Sequence, residues 1–369
     1  MHRAENVRFP DVGDLFPENG VSVSFRFSDL NSSGYRIGSG TEQKSAHLSV
    51  QWTQSRHKTH AEYLWGHEKT NFSWDGVSPQ YGFDLNDMDE RRYNFYADTS
   101  YHGGYSDVNQ DVFTQSVAMI NHTHILREDL KLYASLYHIG GEGYYRQFKA
   151  DSDPVAYNLT DFIGNDSMEV DLIRRKWLDN RYTGGIYHLN YLLPAHMITV
   201  GGDFRFYGSG HFGEVAYVED HGSPGDDHRY YNNTTRKSSY SFYARDLITI
   251  NENLFIQAGI RYLSHRFLVR QDTVGNVTMP YHFILPYDFL DGRVGLRYNV
   301  SDQLSGFISL STSKREPSSN DIYDDGDPTV MAAVEDPYGG NVTEPLIKHE
   351  SLTDLDGVLI ISGKTCVWE

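Results

Sequence analysis

Residues 291–317, DGRVGLRYNVSDQLSGFISLSTSKREP, carry the pattern that most constrains this chain. Val294, Leu296 and Tyr298 alternate with Arg293, Gly295, Arg297 and Asn299. After a turn at Val300, Ser301 and Asp302, Leu304, Ile308 and Leu310 share one face while Ser305, Ser309, Ser311 and Ser313 take the other. Strand side chains point alternately to two faces, so a period of two describes a hairpin with one apolar and one polar side. The Asn, Ser and Asp of the linker suit a tight turn, because their side chains bond nearby backbone. The apolar side then needs a partner, either a protein core or a bilayer.

The same period recurs along the chain. Val21, Val23, Phe25 and Phe27 form one apolar face; Ala46, Leu48, Val50 and Trp52 a second, followed after a short turn by Ala61, Tyr63 and Trp65. Later strands carry Leu130, Leu132, Ala134 and Leu136, then Tyr187, Leu189 and Tyr191, then Ile198, Val200, Phe204 and Phe206. Tyr240 and Phe242 pair across a turn at 251–253 with Leu254, Ile256, Ala258, Ile260 and Tyr262. About twelve strands result, and their connections alternate between turns of ~2–4 residues and much longer segments, roughly 67–111, 140–183, 207–237, 265–289 and 314–349. A soluble sandwich has no reason to sort long loops by parity. An outer-membrane barrel does, with short periplasmic turns and long extracellular loops.

Charge follows the same sorting. Arg26, Arg205, Arg261, Arg293 and Arg297 fall on the polar face, as expected when Arg or Lys at mid-bilayer costs about 2–4 kcal/mol on the lipid side. Asp246 is the exception, and either a position near the periplasmic interface or a bulge that shifts the phase accounts for it. Tyr262 and Phe206 stand where interfacial aromatic girdles belong. The mean hydropathy of −0.55 and the 27 tyrosines are compatible with strands that are apolar only at every second residue. Soluble all-β sandwiches share the alternation, although loops of this length are uncommon in compact soluble domains.

A net charge of −18 argues against nucleic acid as a partner, because phosphate binding needs clustered Lys and Arg. The single cysteine, Cys366, excludes a disulfide within the chain. MHRAENVRFP at the N-terminus lacks the basic and apolar regions of a signal peptide. The long segments carry aromatic and ionisable residues, and function tends to sit on loops held by a rigid scaffold. Trp74, Tyr81, Tyr144, Tyr145, Trp177, His211, Tyr230 and Tyr231 are therefore the candidate ligand-binding residues. The acidic loop NDIYDDGDP at 320–328 does not have EF-hand spacing, and Asp226, Asp227 and His228 lack the further patterned His or Cys of a metal site. No G-x-S-x-G, H-E-x-x-H, Walker A or paired-Cys motif occurs, so no catalytic residue, metal or cofactor is assigned.

Five blocks carry a family resemblance: WGHEKTNFSWDGVSP (65–79), GEGYYRQFK (141–149), DLIRRKWLDNRYTGGIYHLNY (171–191), ITVGGDFRFYGSGHFGE (198–214) and STSKREPSSNDIYD (311–324). In order and spacing they resemble the barrel of TonB-dependent outer-membrane receptors, most closely those of Bacteroidetes-type bacteria. The resemblance implies an all-β, antiparallel transmembrane β-barrel segment supplying about 12 of the ~22 strands of such plugged transporters. It implies residues 1–19 as a lead-in, 20–356 as partial barrel, and 357–369 as an aberrant tail. The chain then reads as a fragment without the plug and the C-terminal strands. Implied partners are outer-membrane lipid, the TonB complex acting through a plug, and a scarce small ligand such as a ferric siderophore. The competing expectations are a closed 12-stranded outer-membrane hydrolase, which needs the strand near Val21 paired with that near 351–361, and a soluble β-sandwich binding module.

Overall fold

A computed structural model describes residues 20–74, 76–97, 108–165, 168–225, 228–272, 274–275, 279–301, 303–323 and 332–361. The 1–19 lead-in, Asp226, Asp227, the 324–328 part of the acidic loop and Cys366 lie outside them. The described chain is a single antiparallel sheet of 12 strands in sequence order. They are β1 (Gly20–Ser32), β2 (Thr41–Gln54), β3 (His57–Asn71), β4 (Gln110–Arg127), β5 (Leu130–Ser152), β6 (Val170–Leu192), β7 (His196–Val218), β8 (Arg229–Thr249), β9 (Leu254–Gln271), β10 (His282–Ser301), β11 (Leu304–Arg315) and β12 (Glu350–Ile361). Among the described residues β1 and β12 are the two edges and do not pair, so the sheet is open and the closed 12-stranded hydrolase is overturned.

Connection parity holds throughout. Segments 55–56, 128–129, 193–195, 250–253 and 302–303 are short, while 33–40, 72–109, 153–169, 219–228, 272–281 and 316–349 are long. The boundaries of the long segments differ from the sequence reading. β5, β6 and β7 each run for 23 residues, so stretches expected as loop, including 140–152, 170–183 and 207–218, are strand. Some ~9–11 tilted residues cross a bilayer. The remainder of these strands stands beyond it, with water on the outward face and loops on parts of the inward one, and strict alternation ceases there because no lipid requires an apolar outward face.

Register defines two faces. Val23 pairs with Val50, Val50 with Ala61, Ala61 with Ile120 and Ile120 with Leu136. Further round, Val200 pairs with Ala244, Ala244 with Ile260, Val294 with Ala258 and with Leu310, and Leu310 with Leu355. This outward belt is apolar yet uncovered by protein: Phe25, Val200, Phe242, Ile260 and Leu290 are each 51–58% exposed. A soluble monomer rarely shows a contiguous apolar patch beyond a few hundred Å², so the belt is the lipid face. Trp52, Tyr191 and Tyr298 stand at its short-turn end, and Phe206, Tyr240 and Tyr262 at the other.

Outward cations begin where the belt stops. Lys69, Arg181, Arg236, Arg266 and Arg270 all share its face by register, each towards the long-connection end of its strand. The five arginines expected on the polar face do lie on the inward one. There Arg205 meets Asp203 at 3.0 Å and Arg261 meets Asp291 at 2.9 Å. Asp246 keeps its outward phase with no register shift, four residues from the 250–253 turn, and its Oδ2 is 2.7 Å from His196 Nδ1. The interfacial position, not a bulge, is what accommodates it.

Buried apolar packing sits at the long-connection end. Segment 316–349 folds over the inward faces of β9 and β10, where Phe283, Leu285, Tyr287 and Phe289 pack with Ile322, Tyr323, Ala332 and Val334. Segment 153–169 does the same on β6 to β8, with Tyr157 and Leu159 against Leu172, Val215 and Tyr230. The sheet therefore has lipid outside and polar groups inside, and among the described residues its buried apolar packing lies towards the long-connection end.

Candidate ligand-binding surface

The inward face of the strand extensions holds the candidate site. A cavity of about 380 Å³ is bordered there by Glu68 of β3, Asp111 and Phe113 of β4, Tyr145 of β5, Lys176 and Leu178 of β6, His211 of β7 and Tyr231 of β8. Register alone brings them together: Glu68 pairs with Phe113, Asp111 with Tyr145, Tyr145 with Lys176, Leu178 with His211, and Gly213 with both Lys176 and Tyr231. Two glycines make the rings fit. A Cβ on Gly213 would overlap the Tyr230 and Tyr231 rings, and one on Gly143 would meet Phe113.

Lys176 supplies the ammonium of the cavity, whose lining also carries the carboxylates of Glu68 and Asp111. Its Nζ lies 5.9 Å from the Tyr145 ring centroid and 5.8 Å from that of Tyr231, so two aromatic faces flank one cation. Beside it, Arg174 donates from Nη1 to the Tyr157 hydroxyl and from Nη2 to Gln147 Oε1, both at 2.9 Å, which ties segment 153–169 to the strands. An aromatic group extends the surface towards segment 72–109: Trp74 stacks on Phe72 at 3.9 Å, and both approach Tyr145 at about 6 Å.

His211 also borders a second inward cavity of about 540 Å³, with Tyr207, Lys237, Phe267, Tyr287 and Arg315 among its lining. Its floor is an ion cluster in which Lys237 contacts Glu316 and His265 Nε2 is 3.5 Å from Glu316 Oε2. Burial alone would raise the Glu316 carboxyl, but the Lys237 ammonium and then His265 outweigh it and hold the group below the usual carboxylate range.

The eight sequence candidates are not one cluster. Tyr145, His211 and Tyr231 share the inward cavity, with Trp74 adjoining. Tyr230 is buried beneath segment 153–169, 4.6 Å from the Tyr157 ring. Tyr81 is exposed in segment 72–109 and borders a separate space with Gln147 and Lys149. Tyr144 and Trp177 border the first cavity, but register assigns their side chains to the outward face. There the two rings lie 4.5 Å apart, Arg175 sits over Tyr144, and Trp177 Nε1 donates to Glu214 at 2.7 Å. Lys176, Phe113, Glu68 and Asp111 were missed. Extending β3 to β6 towards the long-connection end with unbroken pairing brings them onto one face.

The family model described as TonB dependent receptor-like, beta-barrel, matches residues 12–351. Among solved structures, the chain is similar to the closed form of the ferric-catecholate import receptor Fiu from E. coli K12, at 12% identity and TM-score 0.61, covering 86% of this chain and 50% of that one. It is similar to the siderophore receptor PiuA from Acinetobacter baumannii, at 11% identity and TM-score 0.62, covering 92% and 50%. The copper transporter OprC gives 14% identity and TM-score 0.62, covering 92% and 47%. The chain thus spans about half the length of these structures, and at such identities the likeness is one of fold. No curated protein sequence matches. The narrower Bacteroidetes-type resemblance gains no support from these comparisons.

Proposed function

The chain belongs to the TonB dependent receptor-like β-barrel family of the outer membrane, and from that premise we propose that it supplies the ligand-recognising part of a receptor for an iron chelate of siderophore type. Lys176 between Tyr145 and Tyr231 is the observation that carries the reading. A ferric chelate presents a compact anion together with planar donor groups. A cation flanked by aromatic faces offers charge attraction and stacking to such a ligand at once. The receptors named for ferric-catecholate and siderophore uptake have the same fold. In this reading the inward cavity takes the chelate from the long-loop side, and energy for its passage comes from TonB acting through a plug. The work is transport, not catalysis.

Binding of a ferric catecholate to the protein in detergent, followed by quenching of intrinsic fluorescence, tests the site. Lys176→Met and Tyr231→Ala are each expected to weaken binding about tenfold, as loss of a charge or a stacking ring in a half-enclosed site should. Equal affinity in both variants and the parent would place the ligand elsewhere. TonB-dependent uptake of radioactive iron by a receptor that carries this segment together with a plug, present in a normal host and absent in a TonB-deficient one, tests the transport part separately.

A further inference from the structure

Three histidines meet on the outward face at the short-turn rim, far from the ligand surface. His57 opens β3 and is the direct cross-strand partner of His124 on β4, while His122 lies two residues along on the same face, opposite Thr59. Their rings gather closely: centroids are 4.0 Å apart for His57 and His124, and 5.7 Å for His57 and His122. One ring nitrogen from each lies within 4.8 Å of the others, and all three side chains are half-buried. In a tetrahedral site with Zn–N distances of about 2.0–2.1 Å, ligand nitrogens sit roughly 3.4 Å apart. Small side-chain rotations close that gap.

Two neighbouring groups shape the cluster as a metal-binding set. Thr59 Oγ1 lies 2.8 Å from His122 Nδ1. With the Nδ1 proton donated to the hydroxyl oxygen, Nε2 keeps its lone pair, the arrangement by which ligating imidazoles are usually oriented. The Trp52 ring stacks parallel to His57 at 6.4 Å and restrains its tilt. Borderline nitrogen donors of this kind select first-row transition ions over magnesium or calcium.

We propose that His57, His122 and His124 form a three-imidazole site for a divalent transition ion, with Zn2+ as the physiological class and a fourth position open outward. The ion clips together two hairpins that no short turn joins at this end, β2–β3 and β4–β5, whose covalent link is the long segment 72–109 at the opposite rim. Arg56 precedes His57 and its backbone oxygen accepts from the Ile125 N–H next to His124, so its charge opposes a cation there and its removal tightens binding.

Co2+ is the probe, added to protein prepared without a polyhistidine tag and purified in detergent. The expected result is one saturable equivalent with the visible d–d band of four-coordinate Co2+, displaced by one equivalent of Zn2+, which binds such donors more tightly. Thr59→Val should weaken Co2+ by about tenfold, the scale of a lost outer-shell hydrogen bond, and Arg56→Gln should strengthen it a few-fold. His122→Ala should weaken it more than Thr59→Val does. Heat-modifiable migration confirms that each variant is folded. No saturable band in the parent, or an unchanged band and affinity in His57→Ala/His122→Ala/His124→Ala, overturns the site. The parent titration and Thr59→Val decide the matter even where the triple variant does not assemble.

Discussion

The two halves of a single strand are held by different means. In β8, Phe242 and Ala244 belong to the outward belt, uncovered by protein, whereas Thr234 and Arg236 share that face eight residues further along in the extension. On the belt half, apolar side chains reach lipid, and the inward side is polar. On the extension half, the outward face meets water, while the inward face is covered by loops folded onto Phe283, Leu285 and Tyr287, and stability comes from that packing. The difference teaches where packing matters. The belt asks only for an apolar residue at every second position, while the extension depends on specific contacts.

The largest expected effect breaks the extension. Phe283 is fully buried beneath segment 316–349, so Phe283→Ala should cost about 3–5 kcal/mol locally and open that segment to protease. Phe242→Ala, on the belt, should leave the protease pattern unchanged because lipid fills the space. Next comes charge on one face of one strand. Phe242→Arg should cost about 2–4 kcal/mol and reduce the heat-modifiable species, while Thr234→Arg, beyond the membrane, should cost about 0–1 kcal/mol. Equal losses would show that both positions lie in the same surroundings.

Smaller again is a pH effect confined to the extension. Glu316 has a carboxyl held below the ordinary range, so its contribution is present above that range and is lost as pH falls through the lower folded value. Cleavage within 316–349 should therefore rise below about pH 4 in the parent. Glu316→Gln should remove that pH dependence, and the belt should show none.

Legibility in the sequence followed the same division. Val294, Leu296 and Tyr298 announce their faces because lipid on one side and a polar interior on the other force alternation. Asp246 could be read as an exception and was, although only the His196 contact and unbroken register decided its cause. Tyr144 and Trp177 read as loop residues, since GEGYYRQFK and IRRKW show no period where the outward face is wet and the inward one lines a cavity. Their assignment to the outward face, opposite Tyr145 and Lys176, needs the pairing of β5 with β6. The His57, His122 and His124 group is only half legible: the spacing of His122 and His124 puts both on one face, but His57 comes from a strand separated from theirs by the longest connection and needs the β3–β4 register.

One face of each strand passes from lipid to water along its length. Single spin labels placed along β8 in a Cys366→Ser background, with oxygen and a polar nickel chelate as relaxation agents, test it directly. Labels at Phe242 and Ala244 should be reached by oxygen and not by nickel, the label at Thr234 by nickel, and that at Tyr243 should differ from both of its neighbours. Lipid-like accessibility at Thr234, or no alternation across residues 242–244, would contradict the account.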